Sequence, residues 1–116
     1  MVAGSSQTRG FLYKGGAYTT IMPAEWNDSY VWAINDSGQA VGDGHDASGN
    51  WRGFLYSPPP AATPYTILLP DGWTEGEVYT SDINSDGKVA GYGNDGSGRW
   101  RGFIYDNGVY TVLLPP

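Results

Sequence analysis

A chain of 116 residues with 40% apolar content can bury one core of ordinary size, which excludes wholesale disorder. Twelve acidic residues against six scattered basic ones, a net charge of −6, exclude the basic clusters that nucleic acids or anionic membranes demand. The absence of cysteine removes disulfides, zinc-thiolate centres and thiol nucleophiles.

The first six residues, Met-Val-Ala-Gly-Ser-Ser, lack the charged and apolar regions of a signal peptide. No later apolar run approaches the ~20 residues that span a bilayer, so membrane insertion is not expected. Arg9-Gly-Phe-Leu-Tyr13 opens a strand, followed by a turn and a Tyr-Thr strand from Tyr18 to Pro23. A loop with Trp26, Asn27 and Asp28 leads to a strand over Tyr30–Asn35. Asn35-Asp36-Ser37-Gly38 is a tight-hairpin turn, because Asn and Gly accept the positive φ such turns require. Strands then follow over Gln39–Asp43, Trp51–Ser57 and Tyr65–Leu69, separated by a polar loop at 44–50 and a Pro-rich turn at 58–64.

The pattern then recurs. Arg-Gly-Phe-[Leu/Ile]-Tyr stands at 9–13, 52–56 and 101–105, and Ile83-Asn84-Ser85-Asp86-Gly87 repeats the turn at Ile34–Gly38. Strands are expected again over Val89–Gly93, Trp100–Tyr105 and Val109–Leu114. Val2-Ala3-Gly4 matches Val89-Ala90-Gly91, so the chain is expected to enter at the second strand of a unit. The strand count becomes three, four and four in units of about 1–23 (partial), 24–70 and 71–116 of a single domain. The fold class is all-β, with antiparallel four-stranded repeat units arranged as in a β-propeller. A β-sandwich of duplicated units is the alternative. Eleven strands do not complete a ring, so either the parent protein is longer or copies associate, and an open terminal sheet would expose an apolar face. Self-association is therefore expected, as a dimer or another closed oligomer, or as a filament.

The turn Ala33-Ile34-Asn35-Asp36-Ser37-Gly38 with the downstream Gly53-Phe54-Leu55-Tyr56 resembles the bacterial extracellular HAF repeats. Those repeats read His-Ala-Phe where this chain has Arg-Gly-Phe at 9–11, 52–54 and 101–103. The resemblance covers nearly the whole chain. It implies an extracellular or cell-surface location in a bacterium and a propeller-like fold, and it carries no catalytic chemistry.

Catalysis is hard to build from these residues. His45 is the only histidine, in a loop between Asp43 and Asp46, with no nucleophile visibly paired to it. Asp43, Asp46, Glu75 and Glu77 could serve as a carboxylate pair, but nothing in the sequence sets a working separation. The protein is read as a non-enzyme without a cofactor. Asp82, Asn84 and Asp86 precede Gly87 as calcium ligands do, yet the closing Glu is absent and position 93 is Gly. No metal site is assigned. Trp26 and Trp73 lie in the loops joining units, with Asn27, Asp28, Glu75 and Glu77 beside them. A flat indole next to hydrogen-bonding side chains suits a sugar ring, which makes a glycan the expected ligand of a multivalent binding module. A structural, self-assembling repeat is the alternative. Trp51 and Trp100 recur at one strand position and are expected to pack between units.

Overall fold

The computed structural model describes residues 2–6, 9–59, 63–70, 72–73, 77–95 and 99–113, the first five as backbone only. The described residues form eleven strands and no helix. The strands make three antiparallel meanders. Sheet 1 is β1 (Val2–Ser6), β2 (Arg9–Lys14) and β3 (Ala17–Ile21). Sheet 2 is β4 (Tyr30–Ile34), β5 (Ala40–His45), β6 (Trp51–Tyr56) and β7 (Tyr65–Leu68). Sheet 3 is β8 (Val78–Ile83), β9 (Val89–Asn94), β10 (Trp100–Asp106) and β11 (Val109–Leu113).

The turns form for the reason the sequence suggests. Asn35 Oδ1 accepts the amides of Ser37 and Gln39 at 3.1 and 3.0 Å, while Gly38 takes a φ of 85°. Asn84 does the same for Asp86 and Lys88 at 3.0 and 2.9 Å, with Gly87 at 84°. The side chain thus replaces backbone partners inside the hairpin.

Each of sheets 2 and 3 lays its first strand against the sheet before it. β4 packs on β1 and β2, and β8 packs on β4, β5 and β6. The joint uses one face of each sheet. The forward faces of sheets 1 and 2 offer Leu12 with Ile21, and Val41 with Leu55 and Leu68. The rear faces of sheets 2 and 3 answer with Phe54 and Tyr56, and with Phe103 and Tyr105. Two cores result, one per joint. β6 lies between both and is buried or half-buried along its whole length, as its unbroken apolar run suggests.

The glycines of the third strands make the close approach available. A Cβ on Gly10 would lie 2.5 Å from Val31 Cγ2, and one on Gly53 would lie 2.9 Å from Thr80 Cγ2. Asn35 adds a polar tie, donating from Nδ2 to the Asn84 carbonyl across the second joint at 3.0 Å. Tyr65 and Tyr110 add two more. Their hydroxyls accept the backbone N–H of Met22 at 2.9 Å and of Leu69 at 3.0 Å.

Candidate functional site

The first-strand side of the second joint holds a cleft of about 410 Å³ lined by Trp32, Asp43, Trp51, Tyr79, Thr80, Ser81 and Tyr92. β4 and β8 each carry a bulge there, with Trp32 and Ser81 as the extra residues. A bulge redirects the side chain it inserts. In β4 this brings the Trp32 indole onto Asp43, with Nε1 donating to Oδ1 at 2.7 Å.

Trp32 is 58% exposed and Tyr92 is 48% exposed, although both are large and apolar. Behind them runs a row of packed rings. Tyr30 stacks on both Trp32 and Trp51, Trp51 meets Tyr79 at 5.4 Å, and Tyr79 stacks on Tyr92 at 5.3 Å. The rings come from both sheets, so the row exists only where the sheets meet.

Asp43 sits beneath these rings with 1% of its surface exposed. Its Oδ2 accepts the Thr80 amide of sheet 3 at 3.2 Å, so one carboxylate clasps both sheets. Burial lifts this carboxyl to about 6, against the downward pull of bonds from Trp32 and the Thr80 backbone. The Trp51 indole pulls the same way, and the nearby Asp28 carboxylate adds a smaller upward push. Among the described residues, Trp51 Nε1 falls short of full hydrogen-bonding geometry with any partner, and Thr80 Oγ1 is buried without one. Two unspent polar atoms on residues of one cleft are uncommon in a folded interior. Tyr79 donates to Glu77 Oε2 at 2.7 Å, and its hydroxyl is pushed up to about 12 by burial and then by the Glu77 carboxylate.

The residues singled out from sequence fall elsewhere. Trp73 is a core side chain, 4% exposed and edge-on to Phe103, so its indole is not presented to solvent. Trp26 is half-buried with its ring against Phe54. Asn27 ties its loop to the end of β5, bonding the His45 carbonyl through its amide at 2.9 Å and the Asp46 carbonyl through Nδ2 at 3.1 Å. Asp28 holds His45 Nδ1 at 2.9 Å, and the His45 ring meets Trp51 edge-on at 4.4 Å. Glu77 reaches the cleft's edge through Tyr79. Glu75 lies outside the described residues. The structure therefore brings Asp28 and Glu77 near the cleft and leaves both loop tryptophans out of it.

The other candidates have structural partners. Asp46 Oδ1 accepts the Ser48 and Asn50 amides at 2.9 and 3.0 Å. Asn84 Oδ1 is engaged by its turn, and Asp82 Oδ1 accepts the Ile83 amide at 2.8 Å. Asn35 makes the same turn without counterparts of Asp82 and Asp86, so hairpin geometry accounts for the motif.

The cleft residues had a signal in the sequence. At an offset of 49, Tyr30, Asn35, Asp46, Trp51 and Phe54 match Tyr79, Asn84, Asp95, Trp100 and Phe103. Trp32 instead faces Ser81, and Asp43 faces Tyr92. A site that occurs once must break the repeat, and these two breaks meet in one hydrogen bond. No family model, curated protein or solved structure matches the chain.

Proposed function

We propose that this protein is a non-catalytic binding module whose inter-sheet cleft takes a carbohydrate. The observation that carries the reading is the pair of exposed rings, Trp32 and Tyr92, over the buried acceptor Asp43. Exposed aromatic faces suit the apolar side of a pyranose, and the polar atoms beneath them suit its hydroxyls. The cleft's volume is in the range of small-ligand sites. In support of the non-catalytic reading, the described ring contacts of His45 are Asp28 and Trp51, with no serine, threonine or lysine among them for it to activate.

On this reading the meander sheets are blades of a propeller-type arrangement, with the cleft on the side of the first strands. The resemblance to HAF repeats points to a bacterial cell surface, where glycans are abundant ligands. The test is a glycan array probed with wild type, Trp32→Ala, Tyr92→Ala and Trp26→Ala. Trp32→Ala and Tyr92→Ala are expected to weaken the signal about tenfold or more, as a central aromatic anchor does. Tyr92→Ala leaves the Asp43 clasp intact, so its loss of binding separates recognition from folding. A blank array from folded wild type, or equal signals from all four proteins, overturns the reading.

A further inference from the structure

Two positions recur in all three sheets and a third in sheets 2 and 3. Opposite the third-strand glycine stand Ile21, Leu68 and Leu113 in the register of each sheet. Ile21 and Leu68 are fully buried, while Leu113 is 48% exposed. Leu12 and Leu55 are buried beneath the following sheet, while Ile104 is only half-buried. Trp51 meets Tyr79 of the following sheet, while Trp100 is 56% exposed. Sheet 3 thus carries the forward face of sheet 2, and the apolar part of that of sheet 1, with no described residue of another sheet laid on it.

The rear face shows the complement. Phe54 and Phe103 are fully buried against the sheet before them, whereas Phe11 of sheet 1 is half-buried. Tyr65 and Tyr110 reach back to backbone amides of the preceding unit. Tyr18, which pairs with Tyr13 as Tyr65 pairs with Tyr56, is 74% exposed. Among the described residues, the rear of sheet 1 and the front of sheet 3 are thus two open faces, the two halves of a joint that is already made twice.

We infer that a second copy of this chain docks its sheet 1 rear face (Phe11, Tyr13, Tyr18) onto the sheet 3 forward face (Trp100, Ile104, Leu113). The contact is head-to-tail, so it closes into a ring of two or more copies or runs on as a filament. It is weaker than the internal joints. Those joints also seat Val31 over Gly10 and Thr80 over Gly53, from first strands that sheet 1 does not supply among its described residues. Copies carrying −6 repel one another, so salt strengthens the association. None of this depends on the ligand of the cleft.

Sedimentation equilibrium over a concentration series tests the inference, with wild type, Leu113→Arg and Tyr18→Arg, each checked for native circular dichroism. Both altered side chains are exposed, so the monomer fold is expected to persist. Wild-type mass is expected to rise above the 12.5 kDa of one chain with concentration and with salt. Each variant alone is expected to associate at least about tenfold more weakly, since each lacks one half of every contact. An equimolar mixture of the two variants restores one good contact and no more, giving a 1:1 dimer. A wild type that stays monomeric at every concentration overturns the inference. So do variants that associate as wild type does, or a mixture that forms no dimer.

Discussion

An Asp43→Asn variant is expected to lose a pH dependence of stability worth about 2 kcal/mol between pH 4 and pH 7. The carboxyl titrates near 6 in the folded chain, above its ordinary value of 3.8. Between those values the folded state holds a proton that the unfolded state has released. Its stabilising contribution is therefore complete below about pH 3.8 and is lost as pH rises through 6. The cause is burial of the charge beneath Trp32 and against Thr80, where two hydrogen bonds only partly replace water. Asparagine carries no charge and keeps one oxygen acceptor, so the wild type gains on the variant as pH falls. Urea titrations of both proteins at several pH values measure the difference directly. Parallel curves across this range would show that Asp43 is not buried as a charge at the joint.

Gly42→Ala is expected to cost about 3 kcal/mol or more, at the upper end for an overpacked core, and to leave little folded protein. Gly42 pairs with Phe54 in the register of β5 and β6. A Cβ there would stand 1.8 Å from the Tyr30 carbonyl oxygen and 2.7 Å from Phe54 Cζ. The first obstacle is backbone and the second is a fully buried ring, so neither has room to yield. Gly102→Ala supplies the contrast, because its Cβ would meet nothing closer than 3.5 Å. That change is expected to stay within about 0.5 kcal/mol, as ordinary surface substitutions do. Thermal melts of the two variants settle the comparison. A tolerated Gly42→Ala would mean that β4, β5 and β6 are not packed as described.

The architecture was legible because it rests on local chemistry repeated. The Asn-x-x-Gly turns at 35–38 and 84–87 specify hairpins by their own side-chain bonds. The strands run where apolar segments between turn signals place them, and Trp51 packs between units, whereas Trp100, expected to do the same, is 56% exposed. The site was less legible. Trp26 and Trp73 share a loop position in the sequence, yet Trp73 is sealed under Phe103, a contact across 30 residues of chain that no local pattern encodes. Trp32 looks like a core residue of an apolar strand until the bulge between Val31 and Ala33 turns it outward. Asp43 reads as a loop-edge carboxylate. Its burial comes from Thr80, which arrives from the next sheet.

The same geometry explains why the cleft sits at the second joint. The first joint lacks the rings: sheet 1 has no described counterpart of Trp51, and Val31 stands where Thr80 does. The forward face of sheet 3 has Trp100 and Tyr92 but no following sheet to close over them among the described residues. Among the described residues, a bulged tryptophan, a buried carboxylate and a facing tyrosine row coincide only between sheets 2 and 3.

The most direct test of this site follows the five tryptophan indole N–H resonances by NMR during titration with cellohexaose, xylohexaose and chitohexaose in turn. The account predicts that one of these sugars shifts the Trp32 and Trp51 signals, which line the cleft, and leaves those of Trp26 and Trp73 in place. Shifts confined to Trp26 would return the ligand to the loops between units. No shift from any of the three sugars, with the spectrum of a folded protein, would contradict a carbohydrate site at the joint.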